Sequence, residues 1–341
     1  MSIETTIPAK VVVGIDVGGT ATNSTILDEH GHFLVEGMVE VPSRVTEGPA
    51  AALQAVADVI DLVLTRTGVS RDRVLAVGLD TPGPASANGV ISSLGATNFS
   101  DKEWWGYDFR GGVESHVGLP VVYNNDGNAA ALYAHRNLFG EHQYHRSSVS
   151  AIVGTGLGGG VIEMGEVVKG AAGMAGELGH IRIPMGDLLV EGQPVPQCNC
   201  GLYGDVESIA SLTGIRKSLL PFWLTQYPDH PLHDMPIDQA AKAVRSYGVD
   251  GDEMALKIFD QQAHALGELF MIASNFTDPH AYLVGGGVIE AAPHFRDWFL
   301  DRVRAHTPLR AESAAVAQFA LVTDLDMAGA RGAALAALHS I

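Results

Sequence analysis

The residues whose types and spacing most clearly suggest a chemical role lie between Glu177 and Glu207. His180 is followed by Cys198 and Cys200, which are the only two cysteines in a chain of 341 residues. An imidazole and two closely spaced thiols are ligands that tetrahedral zinc accepts. Glutamates bracket these ligands, and the intervening glycines allow the chain to turn tightly. The pattern predicts a metal-binding knuckle that shapes a loop, with carboxylates beside it that could bind a polar ligand.

A glycine-rich turn near the N-terminus is a second candidate site. It separates a β-branched run at 11–16, which predicts a buried strand, from a second predicted strand at 22–27. Glycines allow a phosphate to approach backbone N–H groups, hydroxyls add donors, and a carboxylate could hold Mg²⁺ directly or through water. An ordinary β-hairpin would show the same glycines. The candidate residues are Asp16, Gly18, Gly19, Thr20 and Thr22.

The second half of the chain repeats this order of strand, glycine turn and strand. A predicted strand at 149–153 leads into a glycine-rich stretch at 154–160. Two copies about half a chain apart suggest a duplicated domain and favour phosphate binding over an ordinary hairpin. The candidate contacts in the second turn are Gly154, Thr155, Gly156 and Gly158. Gly286 and Gly287 follow another predicted strand, at 281–284, where glycines alone commonly mark only a turn.

Asp126 stands where a predicted strand at 121–123 meets an alanine-rich helix. An acid at this junction can cap the helix, which stabilises it by about 1 kcal/mol. It can also act as a general base that takes the proton from a hydroxyl attacking a phosphoryl group. The residues by themselves leave both roles open.

Together these motifs resemble those of the ROK family of sugar kinases and repressors. The family carries Glu-x-Gly-His, followed by Cys-x-Cys-Gly-x-x-Gly-Cys-x-Glu. The matching positions are Glu177, His180, Cys198, Cys200, Gly201, Gly204 and Glu207. Asp205 takes the place of the third cysteine, and the spacer between His180 and Cys198 is longer than usual. The resemblance covers nearly the full chain.

The resemblance implies a two-lobed, actin-like (ribonuclease-H-like) α/β fold with a cleft between the lobes. Alternating strands and helices also predict α/β layers. Residues 1–125 are expected to form an N-terminal lobe with the first phosphate loop and part of the sugar site, against which a final helix at 327–341 packs. Residues 126–326 are expected to form a C-terminal lobe with the second phosphate loop, the knuckle and the nucleotide-binding glycines. Further predicted elements are a strand at 32–41 and helices at 49–67, 206–220 and 252–275.

The resemblance also assigns roles to individual residues. Asp126 matches the family's general base. The implied sugar contacts are Gly83, Asn98, Asn125, Asp126, Glu177, His180 and Glu207. The implied nucleotide and magnesium contacts are Asp16, Gly18, Gly19, Thr20, Thr22, Gly154, Thr155, Gly156, Gly158, Gly286 and Gly287. Ala21 stands where family members often carry a lysine.

A structural Zn²⁺ would be held by His180, Cys198, Cys200 and Asp205. Alternatively, hydrogen bonds alone hold the knuckle, and Asp205 caps the helix predicted after it. Trp104 and Trp105 depart from the family's usual spacing. They could stack on a sugar, or lie in the core or a subunit contact.

Composition narrows the class of protein. The length suits two domains, and 46% hydrophobic with 18% charged residues predicts a soluble globular protein. No apolar run reaches membrane-spanning length, and no signal peptide is evident. A net charge of −18 argues against nucleic acid as a partner. A single Cys-x-Cys pair fits a reducing compartment. We therefore expect a cytoplasmic enzyme that binds a small sugar and ATP, with no nucleic-acid or membrane partner; the family suggests a homodimer or homotetramer.

The predicted activity is ATP-dependent phosphorylation of a hexose at a primary hydroxyl, glucokinase-like, with Asp126 as base and Mg²⁺ on the phosphates. Lobe closure would exclude water. One alternative is a sugar-responsive repressor without kinase activity, disfavoured because only ten residues precede Val11. Another is a kinase that uses polyphosphate, or that acts on mannose, an N-acetylhexosamine or a cyclitol. Loops around Asn98 and in the 180–198 spacer would decide the acceptor.

Overall fold

The computed structural model describes residues 8–83, 88–91, 99–287, 290–322 and 325–341. The chain forms two compact units. The first comprises Met1–Asn137, Val167–Ala175 and Asp324–Ile341; the second comprises Leu138–Glu166 and Gly176–Thr323. The first unit thus extends twelve residues beyond the boundary expected near Asn125.

The first unit contains a five-stranded sheet of order β3-β2-β1-β4-β5. Its strands are β1 (Val11–Val17), β2 (Ala21–Asp28), β3 (Val39–Pro42), β4 (Val74–Thr81) and β5 (Val121–Asn125). β1 and β2 form an antiparallel hairpin, and β4 and β5 continue the sheet in parallel with β1. The predicted strand at 32–41 is wrong in its first part, because the Asp28 carboxylate accepts the N–H groups of His30 and His32 and turns the chain there.

Helices cover both faces of this sheet. They are α1 (Pro49–Thr67), α2 (Phe109–Val117), α3 (Asp126–Phe139) and α10 (Ala328–His339). Apolar residues such as Ile15 and Leu79 form one core cluster with α1 and α2. Glycines Gly14 and Gly78 lie against α10 instead: a methyl group on either would lie 1.9 Å from a carbonyl oxygen of that helix. Only glycine permits so close an approach.

The same close packing explains why α3 belongs to the first unit. A methyl group at Gly332 on α10 would lie 1.8 Å from the carbonyl oxygen of Ala129 on α3. The two helices are therefore in direct contact. This contact joins α3 to the first unit, which includes the helix as far as Asn137. The sequence pattern had placed α3 at the start of the second lobe.

The second unit contains a five-stranded sheet of order β10-β9-β6-β7-β8. Its strands are β6 (Ser148–Val153), β7 (Leu157–Glu163), β8 (Glu166–Val167), β9 (Ala281–Gly286) and β10 (Gln318–Leu321). β6 and β7 form an antiparallel hairpin, and β9 and β10 follow in parallel with β6. Hairpin and parallel strands have the same order in both units, as the repeated sequence pattern predicted.

The helices of the second unit surround a large apolar core centred on a long helix, α7. They are α4 (Leu212–Gly214), α5 (Leu220–Gln226), α6 (Ile237–Val249), α7 (Glu253–Thr277), α8 (Pro293–Ala305) and α9 (Ala311–Ala314). The helix predicted from Val206 begins only at Leu212, because the Ser211 hydroxyl accepts the Gly214 N–H and caps it there. Within the described ranges, every helix is too short or too polar to cross a membrane.

Candidate active site and metal centre

The first glycine turn joins β1 to β2 and is closed by a hydrogen bond from the Gly18 N–H to the Ala21 carbonyl, 2.9 Å. Ser43 anchors it from outside: its hydroxyl donates to the Gly19 carbonyl at 3.0 Å, and its N–H donates to the Thr20 carbonyl, also at 3.0 Å. The protein thus engages the carbonyl side of the turn, which suits an approach of phosphate to the N–H side. Sequence reasoning missed Ser43, a buried residue distant in the chain.

Asp16 lies at the end of β1 in a row of polar residues. Asp80 on β4 and Asn124 on β5 are paired in register with it, so all three side chains lie on one face of the sheet. Asp80 is fully buried, and burial together with the Asp16 charge raises the pKa of Asp80 well above its usual range. Burial also raises the pKa of Asp16. Thr22, a predicted nucleotide contact, lies in the interior on β2.

The second glycine turn, between β6 and β7, is held in the same way as the first. The Gly154 N–H donates to the Gly156 carbonyl at 2.9 Å. The Leu212 N–H binds the Gly154 carbonyl at 3.0 Å, and the N–H and hydroxyl of Thr213 both bind the Thr155 carbonyl, at 3.1 and 2.7 Å. Both turns therefore have their carbonyl groups bound by a distant segment of their own unit.

The third glycine group closes the end of β9. Gly286 adopts a left-handed conformation with φ of 93°, and a methyl group there would lie 2.0 Å from the Val153 carbonyl oxygen. The Gly287 N–H donates to the same oxygen at 2.8 Å. The left-handed backbone and the close approach to the Val153 oxygen both require glycine at position 286. Gly158, another predicted contact, is exposed on β7.

Asp126 is the exposed first residue of α3, directly after β5. The capping hydrogen bond of this helix comes from its neighbour: the Asn125 side-chain oxygen accepts the Asn128 N–H at 2.9 Å. The Asp126 carboxylate accepts the N–H of the adjacent Gly127 at 2.7 Å. A helix N-terminus favours the ionised carboxylate, which is the form that accepts a proton.

The remaining predictions in the first unit have different outcomes. Gly83 is half-buried just after β4, whereas Asn98 lies outside the described residues. Trp104 is a core residue, fully buried, with its indole N–H donating to the Val45 carbonyl at 2.8 Å. Trp105 is 52% exposed. Only Trp105 of this pair has a face that a ligand or a second subunit could contact.

Glu207 links the second glycine turn to the cysteine knuckle. Its carboxylate accepts the Leu157 N–H at 2.9 Å through one oxygen and lies 3.4 Å from the Cys198 sulfur through the other. Its own N–H donates to the Gly179 carbonyl at 2.9 Å. Glu177, the other bracketing glutamate, precedes a short helical turn at Leu178–His180. Sequence reasoning treated the glycine turn and the knuckle as separate motifs, but one side chain contacts both.

His180, Cys198, Cys200 and Asp205 converge, with their four ligand atoms all within 4.8 Å of one another. The Asp205 Oδ2 lies 3.4 Å from His180 Nδ1 and 3.5 Å from the Cys200 sulfur, and His180 Nδ1 lies 3.8 Å from the Cys198 sulfur. Tetrahedral zinc with bonds of about 2.0–2.3 Å requires ligand separations of roughly 3.3–3.8 Å. The donor set and these three separations therefore fit a closed zinc site, and the remaining separations are no more than 4.8 Å.

The two oxygens of Asp205 have separate partners. Oδ1 accepts the Ser208 N–H at 2.9 Å and so caps the turn after the knuckle, whereas Oδ2 faces the other metal-site residues. The hydrogen bond to Asp205 raises the pKa of His180 to about 9. Burial raises the pKa of Cys198. Metal binding would displace these protons, so zinc affinity would rise with pH. The two roles considered for Asp205, ligand and cap, are compatible.

The long spacer between His180 and Cys198 is attached to α7 by buried amides. Gln261 donates to the Leu188 carbonyl at 3.0 Å and exchanges two hydrogen bonds with Gln193, at 2.7 and 3.3 Å. The Trp223 indole N–H donates to the Gln261 oxygen at 2.8 Å. Sequence reasoning missed this anchor; the available signal was a pair of adjacent glutamines within the long helix α7.

Two sheets of matching order, each with a glycine-bearing hairpin, define an α/β protein of the actin-like (ribonuclease-H-like) ATPase class, as predicted. The model of the ROK family matches residues 12–340, and the chain belongs to this family.

Individual relatives agree with this assignment. The chain is 32% identical to the glucokinase of Halalkalibacterium halodurans over 304 residues, 85% of this chain and 87% of that protein. It is similar to the ROK hexokinase from Thermus thermophilus, with 29% identity, a TM-score of 0.75 and coverage of 97% and 98%. It is also similar to a ROK family glucokinase from Streptomyces griseus in complex with glucose and AMPPNP, with 28% identity, a TM-score of 0.69 and coverage of 96% and 99%. These relatives support the predicted enzyme class, a carbohydrate kinase.

Proposed function

We propose that this protein is a glucokinase-like enzyme that transfers the γ-phosphoryl group of ATP to the primary hydroxyl of a hexose. The similar proteins are named glucokinase or hexokinase, and one was solved with glucose and AMPPNP. The observation that supports the mechanism best is the position of Asp126. Its carboxylate is exposed at the start of α3, while Asn125 supplies the helix cap. Asp126 is therefore the candidate general base that takes the hydroxyl proton.

The other roles follow from the predicted assignments. The sugar contacts in this proposal are Gly83, Asn98, Asn125, Glu177, His180 and Glu207. The two anchored glycine turns, with Gly286 and Gly287, would receive the nucleotide through backbone N–H groups. Mg²⁺ bound with ATP would neutralise phosphate charge, and Asp16 is the oxygen ligand beside the first turn.

Zinc in this proposal is structural. His180, Cys198, Cys200 and Asp205 would form a closed four-ligand site without an open position, which is typical of zinc that shapes a loop. Because His180 Nδ1 faces the cluster, its Nε2 would be the ring nitrogen that contacts the sugar. The knuckle would thereby hold His180 and Glu207 in position.

Asp126→Asn tests the central claim. It should lower kcat by about a hundredfold or more, because a general base contributes that much, while sugar binding measured by calorimetry stays nearly intact. Asp108→Asn is the matched control: Asp108 is an acid that caps α2 in the same unit, accepting the Gly111 N–H at 2.8 Å. Near-wild-type turnover in Asp126→Asn would show that its carboxylate is not the base.

The acceptor and donor require a separate experiment. A coupled assay over glucose, mannose, an N-acetylhexosamine and a cyclitol, each with ATP and with polyphosphate, would define both. We expect the highest kcat/KM with glucose and ATP. We also expect a homodimer or homotetramer by light scattering. Turnover with none of these pairs, together with sugar-dependent DNA binding, would favour the regulator instead.

A further inference from the structure

Two adjacent glutamines on α7 bind the chain on both sides of the knuckle. Gln261 reaches the spacer that precedes Cys198, through the Leu188 carbonyl at 3.0 Å. Gln262 reaches the segment that follows Glu207: its side-chain amide donates to the Ile209 carbonyl at 3.0 Å and to the Ser211 carbonyl at 3.1 Å. Gln261 is 6% exposed and Gln262 1% exposed.

The segment held by Gln262 contacts the candidate active site directly. The Ser211 hydroxyl donates to the Glu207 carbonyl at 2.7 Å. The next two residues, Leu212 and Thr213, hold the carbonyl groups of the second glycine turn. Gln262 therefore holds the segment whose own hydrogen bonds reach both Glu207 and that turn.

The spacer held by Gln261 contacts the knuckle in turn. The Gly204 N–H donates to the Pro196 carbonyl at 3.0 Å, and the Cys198 N–H donates to the Leu202 carbonyl at 2.8 Å. A displacement of the spacer would consequently move the two cysteines relative to His180. Replacing a buried amide that donates hydrogen bonds to loop carbonyl groups costs stability, because an apolar side chain leaves those carbonyls without a donor.

We propose that Gln261 and Gln262 are positioning residues that hold the knuckle and the second glycine turn in the arrangement used for sugar and nucleotide binding. Neither contacts a substrate in this scheme. Gln261 acts through the spacer on His180 and the cysteines, and Gln262 acts through Ser211 on Glu207 and the glycine turn. The effect on binding rests on the proposed kinase function, whereas the anchoring itself does not.

The test uses Gln261→Met and Gln262→Met, which keep side-chain length but remove the amide. Leu269→Ala on the same helix is the control, because it opens a cavity at a fully buried position without breaking these hydrogen bonds. Hydrogen–deuterium exchange of the folded, full-length proteins should be about ten- to hundredfold faster at 185–204 in Gln261→Met. In Gln262→Met the faster exchange should appear at 205–213 and 154–158. The control should show neither local change.

Steady-state kinetics at a temperature where all variants are folded provides the second readout. Both glutamine variants should raise the half-saturation for sugar about tenfold with a smaller change in kcat, and the control should not. If the glutamine variants show the faster local exchange but the wild-type protein has no kinase activity, the anchoring role of the glutamines is kept and the proposed kinase function is refuted. Kinetic constants and exchange patterns equal to those of Leu269→Ala would overturn the positioning role.

Discussion

The position of Glu207 allows a sharp prediction for Gly156→Ala. A methyl group at position 156 would lie 2.6 Å from the Oε2 atom of Glu207, closer than real contacts of this kind. The backbone at 156 is not left-handed, so alanine meets no conformational barrier there. The clash must be relieved by rotation of the Glu207 carboxylate, which then loses its 2.9 Å hydrogen bond from the Leu157 N–H.

A hydrogen bond to a charged group contributes about 1.5–3 kcal/mol, and about 1.4 kcal/mol corresponds to a factor of ten in affinity. If Glu207 binds the sugar, its displacement should weaken sugar binding by roughly ten- to a hundredfold. From the chain pattern alone, Gly156 belongs to a phosphate turn, and its substitution would be expected to impair nucleotide use more than sugar binding. Because the methyl group of alanine at 156 would point at Glu207, the structure instead predicts weaker binding of both nucleotide and sugar.

Calorimetry with sugar alone and with an ATP analogue alone measures the two affinities separately. Gly154→Ala in the same turn is the comparison, because the nearest atom to its methyl group would be 4.0 Å away and Glu207 would stay in place. Gly154→Ala should alter nucleotide affinity only. If Gly156→Ala binds sugar as tightly as Gly154→Ala does, then Glu207 is not a sugar ligand held by this turn.

Three further predictions concern the metal, pH and packing. Untagged protein should contain about one equivalent of zinc by elemental analysis, and Asp205→Cys should retain it more tightly during chelation without abolishing activity; full activity with almost no zinc would contradict this. Burial is the largest single effect on the pKa of Asp260 and raises it, but the hydrogen bonds and charges of Arg302 and His306 together outweigh burial and lower the pKa overall. The stabilisation that ionised Asp260 gives the folded protein should thus be present above the unfolded pKa of about 4 and be lost as pH falls. In urea unfolding at pH 7, Asp260→Asn should be less stable than the wild type by less than about 1 kcal/mol, and the difference should vanish in acid. Gly332→Ala should destabilise the protein by about 3 kcal/mol or more, because its methyl group would meet the Ala129 backbone; an unchanged urea midpoint would contradict the packing of α10.

The local motifs were readable from the chain because the evidence for them is local. A glycine turn flanked by β-branched runs predicts a hairpin whatever else the protein contains, and both hairpins are present at the predicted places. Ligand types at short spacing likewise indicated His180, Cys198 and Cys200 as metal ligands, and the family resemblance added Asp205; the four side chains do lie together. The repeated pattern and the family resemblance also predicted the α/β fold class. These inferences needed no knowledge of distant contacts.

Element boundaries were less predictable where side chains compete with the backbone. The Asp28 carboxylate turns the chain where a strand was expected, and the Ser211 cap delays a helix expected from Val206. Similarly, the residues by themselves left Asp126 open as a helix cap or as a general base. Only the geometry of the turn shows that the Asn125 oxygen reaches the Asn128 N–H.

The links between motifs were decided by tertiary structure alone. Glu207 contacts a turn fifty residues earlier in the chain, and Gln262 supports a segment more than fifty residues before it. Asp16 and Asp80 become neighbours only through the register of two parallel strands. Sequence determines which chemical groups are available and which short turns can form, since those depend on adjacent residues. Which groups meet depends on register and helix packing, and these follow from burial of the whole core rather than from any local pattern.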